Sequence, residues 1–149
     1  MIKKALFLSI FVFFMTGCTT PEKPKISQAT QQAIAELQKG LYLYFDTGSS
    51  VVDSKYDIYF NTTAYLLSAQ PNLLISVEGH ADSRGSAGAN QHLSLDRANA
   101  VKNKLISEYK VNPSQVVAIG FGAAEPAYDN ETAEGRANNR RVKVRIYTK

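Results

Sequence analysis

The sequence of 149 residues holds one cysteine, Cys18, and two histidines, His80 and His92. A single cysteine excludes an intrachain disulfide, and a lone thiol in an exported chain needs another use. Two histidines leave one thin metal set, His80-x-Asp82 with His92, without the i, i+4 spacing of a zinc hydrolase. No nucleophile elbow or phosphate-cradling loop occurs, because Gly120-x-Gly122 lacks the third glycine and the following helix. With no catalytic set in view, neither an enzyme nor a bound cofactor is expected. There is no internal repeat and no low-complexity segment. Only one apolar run is long, Ala5 to Phe14, and ten residues are too few for a comfortable bilayer span.

That run is the right length for the core of a signal peptide, and Lys3 and Lys4 form its basic head. It ends in Met15-Thr16-Gly17-Cys18, which resembles a lipobox. The expectation is a signal peptide over 1–17 and a lipid on Cys18; the alternative is an ordinary signal peptide followed by a free thiol. Thr19 follows the cysteine, where the lipobox proteins that this segment resembles carry aspartate when retained in the inner membrane. An outer-membrane anchor with the rest of the chain in the periplasm is therefore expected. Lys3 and Lys4 also supply two of the net +4 charges, so the basic balance is weak evidence for nucleic acid, and none is expected.

Residues 18–40 read as a lipidated tether with prolines at 21 and 24 and a thinly apolar helix over 27–39. The remainder, 41–149, is long enough for one self-sufficient domain. Leu41 to Phe45 alternates aromatics and leucines as a strand. Tyr56, Phe60, Thr63, Ala64 and Leu67 recur at helical spacing within 53–69. Leu73 to Glu78 is a second strand. Ser94 stands as an N-cap for a helix whose face is Ala98, Val101, Leu105 and Tyr109. Val116 to Ile119 is a short apolar strand. Residues 131–138 form a helical turn, and Val142, Val144 and Ile146 alternate with polar neighbours. The pattern β-α-β-α-β-(turn)-β predicts an α+β domain: a mixed sheet, with parallel pairing across the helices and an antiparallel closing strand.

Four separated motifs occur in order: Tyr44-Phe45-Asp46; Glu78-Gly79-His80-Ala81-Asp82 with Gly85; Asn90-x-x-Leu93-Ser94-x-x-Arg97-Ala98; and Gly120-Phe121-Gly122 followed by Glu125-Pro126, Asn130, Gly135-Arg136 and Asn139-Arg140-Arg141-Val142. Over residues 41 to 147 the chain resembles the OmpA-like peptidoglycan-binding domains, of the kind found in peptidoglycan-associated lipoproteins. The resemblance implies that family's sheet with helices packed on one face. It also implies non-covalent binding of the diaminopimelate residue of the peptidoglycan stem peptide. That residue ends in an ammonium and a carboxylate on one carbon. Asp82 would accept from the ammonium and Arg97 would grip the carboxylate with its planar fork. Reading Arg97 into the first turn of its helix adds backbone N–H groups for the same carboxylate.

The resemblance also carries Phe45, Asp46, Thr47, Gly48, Leu93, Ser94 and Arg141 into the ligand site. Leu93 could equally be core, and of Arg140 and Arg141 at least one could be a solvated strand start. Gly48 stands where members carry asparagine, and Ala81 where threonine is usual, so two polar side chains are missing here. Against the ligand site stands a plainer reading, in which Asp82 and Arg97 bridge each other and tie loop to helix. A lipoprotein tether between outer membrane and cell wall is the expected role. An adaptor docking an envelope complex of Tol, secretion or motor type is the alternative.

Overall fold

The computed structural model describes residues 28–148; the signal-peptide, Cys18 and tether expectations fall outside those residues. A first helix, α1 (Gln28–Lys39), leads into β1 (Leu41–Tyr44). A 3-10 turn at Ser54–Tyr56, capped by the Asp53 carboxylate, starts α2 (Asp57–Ala69). Strand β2 (Leu73–Gly79), the long α3 (Ala87–Ser107), β3 (Val116–Gly120), a short α4 (Ala133–Asn139) and β4 (Arg141–Thr148) follow. Helix α1 exists despite its thin apolar face because Ala33 and Leu37 are both buried. Tertiary packing, not propensity, holds so short a helix.

The sheet order is β1-β4-β2-β3. The α3 crossover makes β2 and β3 parallel, with Ile75 opposite Val116 and Gly79 opposite Gly120. The last strand does not close an edge but inserts between β1 and β2, antiparallel to both. Val142 and Val144 thereby sit beside Leu43 and Leu41 on one side and Gly79 and Val77 on the other. These residues and Ile75 bury one face of the sheet against Phe60 and Leu67 of α2 and Ala98, Val101 and Leu105 of α3. The opposite face carries Tyr42, Arg145 and Tyr147, all exposed. The α+β architecture, with a mixed sheet covered by helices on one face, is thus as the pattern predicted.

One boundary differs in a way that matters for the site. Helix α3 begins at Ala87, not after Ser94, and its cap is Ser86, whose hydroxyl accepts from the Ala89 N–H at 3.2 Å. The small residues after Gly85 read as loop by composition. Yet alanine is the best helix former, and Gly88 lies in the first turn, where it disrupts least. Ser94 is consequently mid-helix. Its hydroxyl accepts from the Gly122 N–H at 2.8 Å and donates to the Gln91 carbonyl at 2.9 Å.

The same stretch of α3 crosses the ends of β2 and β3 at very short range. A Cβ at Gly79 would lie 1.9 Å from the Ser94 carbonyl oxygen, and one at Gly120 would lie 2.7 Å from the Leu95 nitrogen. Both glycines are therefore required by close approach. Gly79→Ala should lower the unfolding free energy by about 3 kcal/mol, the overpacking range, read as a fall in the urea midpoint. Gly88→Ala, whose Cβ meets nothing within 4 Å, should be neutral or stabilising by up to about 1 kcal/mol. Equal effects of the two substitutions would contradict this packing.

Candidate functional site

The motif residues converge at the C-terminal ends of β1 and β2, against the N-terminal half of α3. Arg97 is the centre. It is fully buried, three turns into α3, and its guanidinium donates to three backbone carbonyls: Ser49 from Nε at 2.8 Å, His80 from one terminal nitrogen at 2.9 Å, and Asp46 from the other at 3.0 Å. The Phe45 ring lies under it at 5.3 Å. An arginine offers five N–H donors, so two remain for a ligand. Burial, then the neighbouring Arg140, pushes its pKa down to about 10, while Asp82 opposes the shift. It stays cationic at neutral pH.

Asp82 is also buried, but it does not bridge Arg97. Its Oδ1 accepts from the Arg84 backbone N–H at 3.0 Å, and its Oδ2 pairs with Arg140 at 3.1 Å. Asn90 donates to the Asp82 carbonyl at 3.1 Å, which holds the loop against α3. Arg140 also donates to the Phe45 carbonyl at 3.1 Å and so fixes the end of β1. The simple loop-to-helix tie through Asp82 and Arg97 is thereby overturned: each has other partners.

A cavity of about 210 Å³ opens between these groups, lined by Thr47, Gly48, Ala81, Asp82, Arg84, Gly85, Asn90, Leu93, Arg97 and Arg140. Four further residues expected at the site do not line it. Phe45 supports Arg97 from below, and Asp46 lends only its carbonyl. Ser94 is turned to the Gly122 loop. Arg141, the first residue of β4, reaches Asn139 and the Glu125 carbonyl instead, whereas the preceding Arg140, the C-cap of α4, does line the cavity. Arg97 is also not in a first helical turn, so the α3 N-terminus does not act beside it. Arg84, not among the residues expected, also lines the cavity; it stands two residues after Asp82 in a tight loop where Gly85 has φ +93°.

His80 and His92 do not come together as a metal set. His80 is buried and stacks on Phe121 at 5.3 Å, whereas His92 is exposed on α3. Burial, then the Arg141 charge, pushes the His80 pKa down to about 4, so it is neutral at physiological pH. Among the described residues no group of three histidine, cysteine, aspartate or glutamate side chains gathers to hold a metal. A larger cavity of about 510 Å³ lies at the far ends of α2 and α3, between Tyr65, Pro71 and Tyr109, and collects none of the motif residues.

The OmpA family model matches residues 44–140. The chain belongs to the OmpA family. Outer membrane protein Omp38 of Acinetobacter baumannii is 40% identical over 123 residues, covering 83% of this chain and 33% of that protein. Peptidoglycan-binding protein ArfA of Mycobacterium tuberculosis is 33% identical over 132 residues, covering 87% and 40% respectively. The chain therefore spans less than half the length of these two relatives. The crystal structure of the peptidoglycan-associated lipoprotein from Burkholderia pseudomallei superposes with a TM-score of 0.68 at 29% identity, over 71% of this chain and 89% of that one. The OmpA-family fold and the motif order therefore agree. No helix among the described residues is long and apolar enough to cross a membrane.

The geometry makes Arg97 a wall of the site as well as a donor within it. Arg97→Ala should cost on the order of 3 kcal/mol of stability, through the unpaired His80 carbonyl and the cavity left behind. It should also raise hydrogen-exchange rates in residues 46–50. Wild-type stability and unchanged exchange in that loop would contradict the structural half of this role.

Proposed function

We propose that this chain is an outer-membrane lipoprotein whose periplasmic domain holds peptidoglycan non-covalently, through the diaminopimelate of the stem peptide. One observation carries the reading. Asp82 and Arg97 are buried on the same small cavity, are not paired with each other, and Arg97 keeps two N–H groups unused. A zwitterionic end fits this arrangement. Its carboxylate takes the two remaining Arg97 donors as charge-assisted bonds. Its ammonium donates to Asp82, whose oxygens each retain a lone pair beyond the Arg84 and Arg140 contacts. Gly48, Ala81 and Gly85 keep the mouth free of bulky side chains, and Leu93 offers the aliphatic stem an apolar wall. The names of the relatives support the same ligand class: one is a peptidoglycan-binding protein and another a peptidoglycan-associated lipoprotein.

The action is binding without turnover. The lipid on Cys18 would fix one end and the cavity the other, and many modest contacts along a continuous wall add up to a firm link. The neutral, stacked His80 holds the end of β2 in place, and its carbonyl helps to seat Arg97.

Asp82→Asn in the detergent-solubilised chain should retain the fold and lose sacculus binding by roughly 30-fold or more, since an unpaired, partly desolvated ligand ammonium costs about 2–5 kcal/mol. Co-sedimentation with isolated sacculi measures it. Walls with lysine in place of diaminopimelate should bind no better than the variant, because lysine lacks the carboxylate. Equal sedimentation with both wall types would sink the reading.

Cys18→Ala should move the protein from the outer-membrane fraction to the soluble periplasm when combined with Asp82→Asn. Mass spectrometry of the wild-type N-terminus should find a lipid on residue 18. An unmodified cysteine there would remove the anchor from the proposal.

A further inference from the structure

Resting on the wall-peptide reading, we propose that Arg84 holds a second carboxylate of the bound peptide, so that the cavity selects a ligand end with one ammonium and two carboxylates over a bare zwitterion. Three guanidinium groups line the cavity beside a single carboxylate, and they differ in what they already hold. Arg140 is engaged by Asp82 at 3.1 Å and by the Phe45 carbonyl at 3.1 Å. Arg97 is engaged by three carbonyls. The Arg84 side chain has no hydrogen-bond or ion-pair partner among the described residues; only its backbone N–H is used, by Asp82.

The backbone beneath Arg84 is nonetheless fixed. Asp82 receives its N–H, Gly85 turns the chain at φ +93°, and Ser86 caps α3 directly after. An exposed arginine on a fixed backbone, its head without a partner, lines the cavity that holds the two proposed zwitterion contacts and is placed to meet something on the ligand. Charge balance says what. Three guanidinium groups against Asp82 leave two positive charges unmatched. A zwitterion is neutral and changes neither, whereas each further carboxylate offsets one.

A stem peptide offers such a group in two places. A γ-linked glutamate leaves its α-carboxylate free, one residue before diaminopimelate. A stem that ends at diaminopimelate leaves that residue's own chain-terminal carboxylate free. The first lies one peptide bond beyond diaminopimelate, and the second is separated from the zwitterion by the methylenes of the diaminopimelate side chain. The shared chemistry is a carboxylate for the Arg84 fork, and amidation of that carboxylate would remove it. The cavity would then distinguish charged from amidated wall peptides, a selectivity additional to the recognition of diaminopimelate itself.

The test is calorimetric titration of the full chain in detergent with three synthetic tripeptides, alanyl-γ-glutamyl-diaminopimelate, its glutamate α-amide, and its C-terminal amide. At least one amide should bind the wild type about fivefold more weakly than the parent, the upper range for an exposed ion pair. The amide that does so identifies the carboxylate. Arg84→Gln should weaken the parent by the same factor and bind the parent and that amide equally. Arg84→Lys should keep only part of the preference, because a point charge lacks the fork. Wild-type protein that binds all three alike overturns the role of Arg84 and leaves the wall reading standing. The role of Arg84 falls equally if Arg84→Gln retains the full preference. If the wild type binds none of the three, the wall reading itself fails, and Arg84 with it.

Discussion

The site depends on one buried cation. The Arg97 guanidinium reaches out of α3 to the carbonyls of Asp46, Ser49 and His80, and so joins the loop after β1, the end of β2 and the helix. Lysine could not replace it, because one compact ammonium cannot serve three acceptors spread around a plane. A buried arginine without a carboxylate partner is costly unless its donors are met. Here three backbone oxygens meet three of them, and the residue lines the cavity. The same residue therefore builds the walls and, in the proposed function, presents the binding edge. This coupling explains why the walls can be made of glycine and alanine: they need not hold themselves in place.

Two further constraints bring α3 to the required depth. Gly79 and Gly120 let the helix backbone lie on the ends of the parallel pair, and the Ser94 hydroxyl ties it to Gly122. The insertion of β4 between β1 and β2 then carries Arg140 to the edge of the cavity, where it holds Asp82 and the end of β1 together. Asn139, fully buried at the end of α4, organises the neighbouring loop. Its amide oxygen accepts from the Ala127 and Tyr128 N–H groups, and its nitrogen donates to the Tyr128 carbonyl and Asn130. The Asn139-Arg140-Arg141 run, where α4 gives way to β4, thus divides its labour. One residue fixes a loop, the next lines the cavity, and the third reaches Asn139 and the Glu125 carbonyl.

Much of this was legible in advance. The spacing of Phe60, Thr63 and Leu67, and of Ala98, Val101 and Leu105, placed two helices and named their buried faces correctly. The alternation of Val142 and Val144 with Lys143 and Arg145 placed the last strand. The motif order brought Asp82, Arg97, Thr47, Gly48 and Leu93 to one cavity. The start of α3 was not legible, because a run of glycine, serine and alanine serves equally as loop or as capped first turn. Its outcome rests on the contact of Ser86 with Ala89 and on the packing of the following turns.

The sequence by itself determined the elements, the faces they bury, and the family to which they belong, because periodicity and motif order are local or pairwise properties of the chain. Tertiary structure alone decided which charge meets which. Asp82 and Arg97 stand fifteen residues apart and share a cavity, yet Asp82 is held by Arg140, far along the chain, and Arg97 by uncharged backbone. Arg140 and Arg141 are indistinguishable by composition, and only the exact point where α4 ends and β4 begins sent one to the cavity and the other away from it. Arg84 has no periodicity to reveal it; its position is a consequence of the turn at Gly85 and of where α3 begins. Hydrogen-bond partnership is set by position in three dimensions to a few tenths of an ångström, and no local pattern in one dimension encodes that.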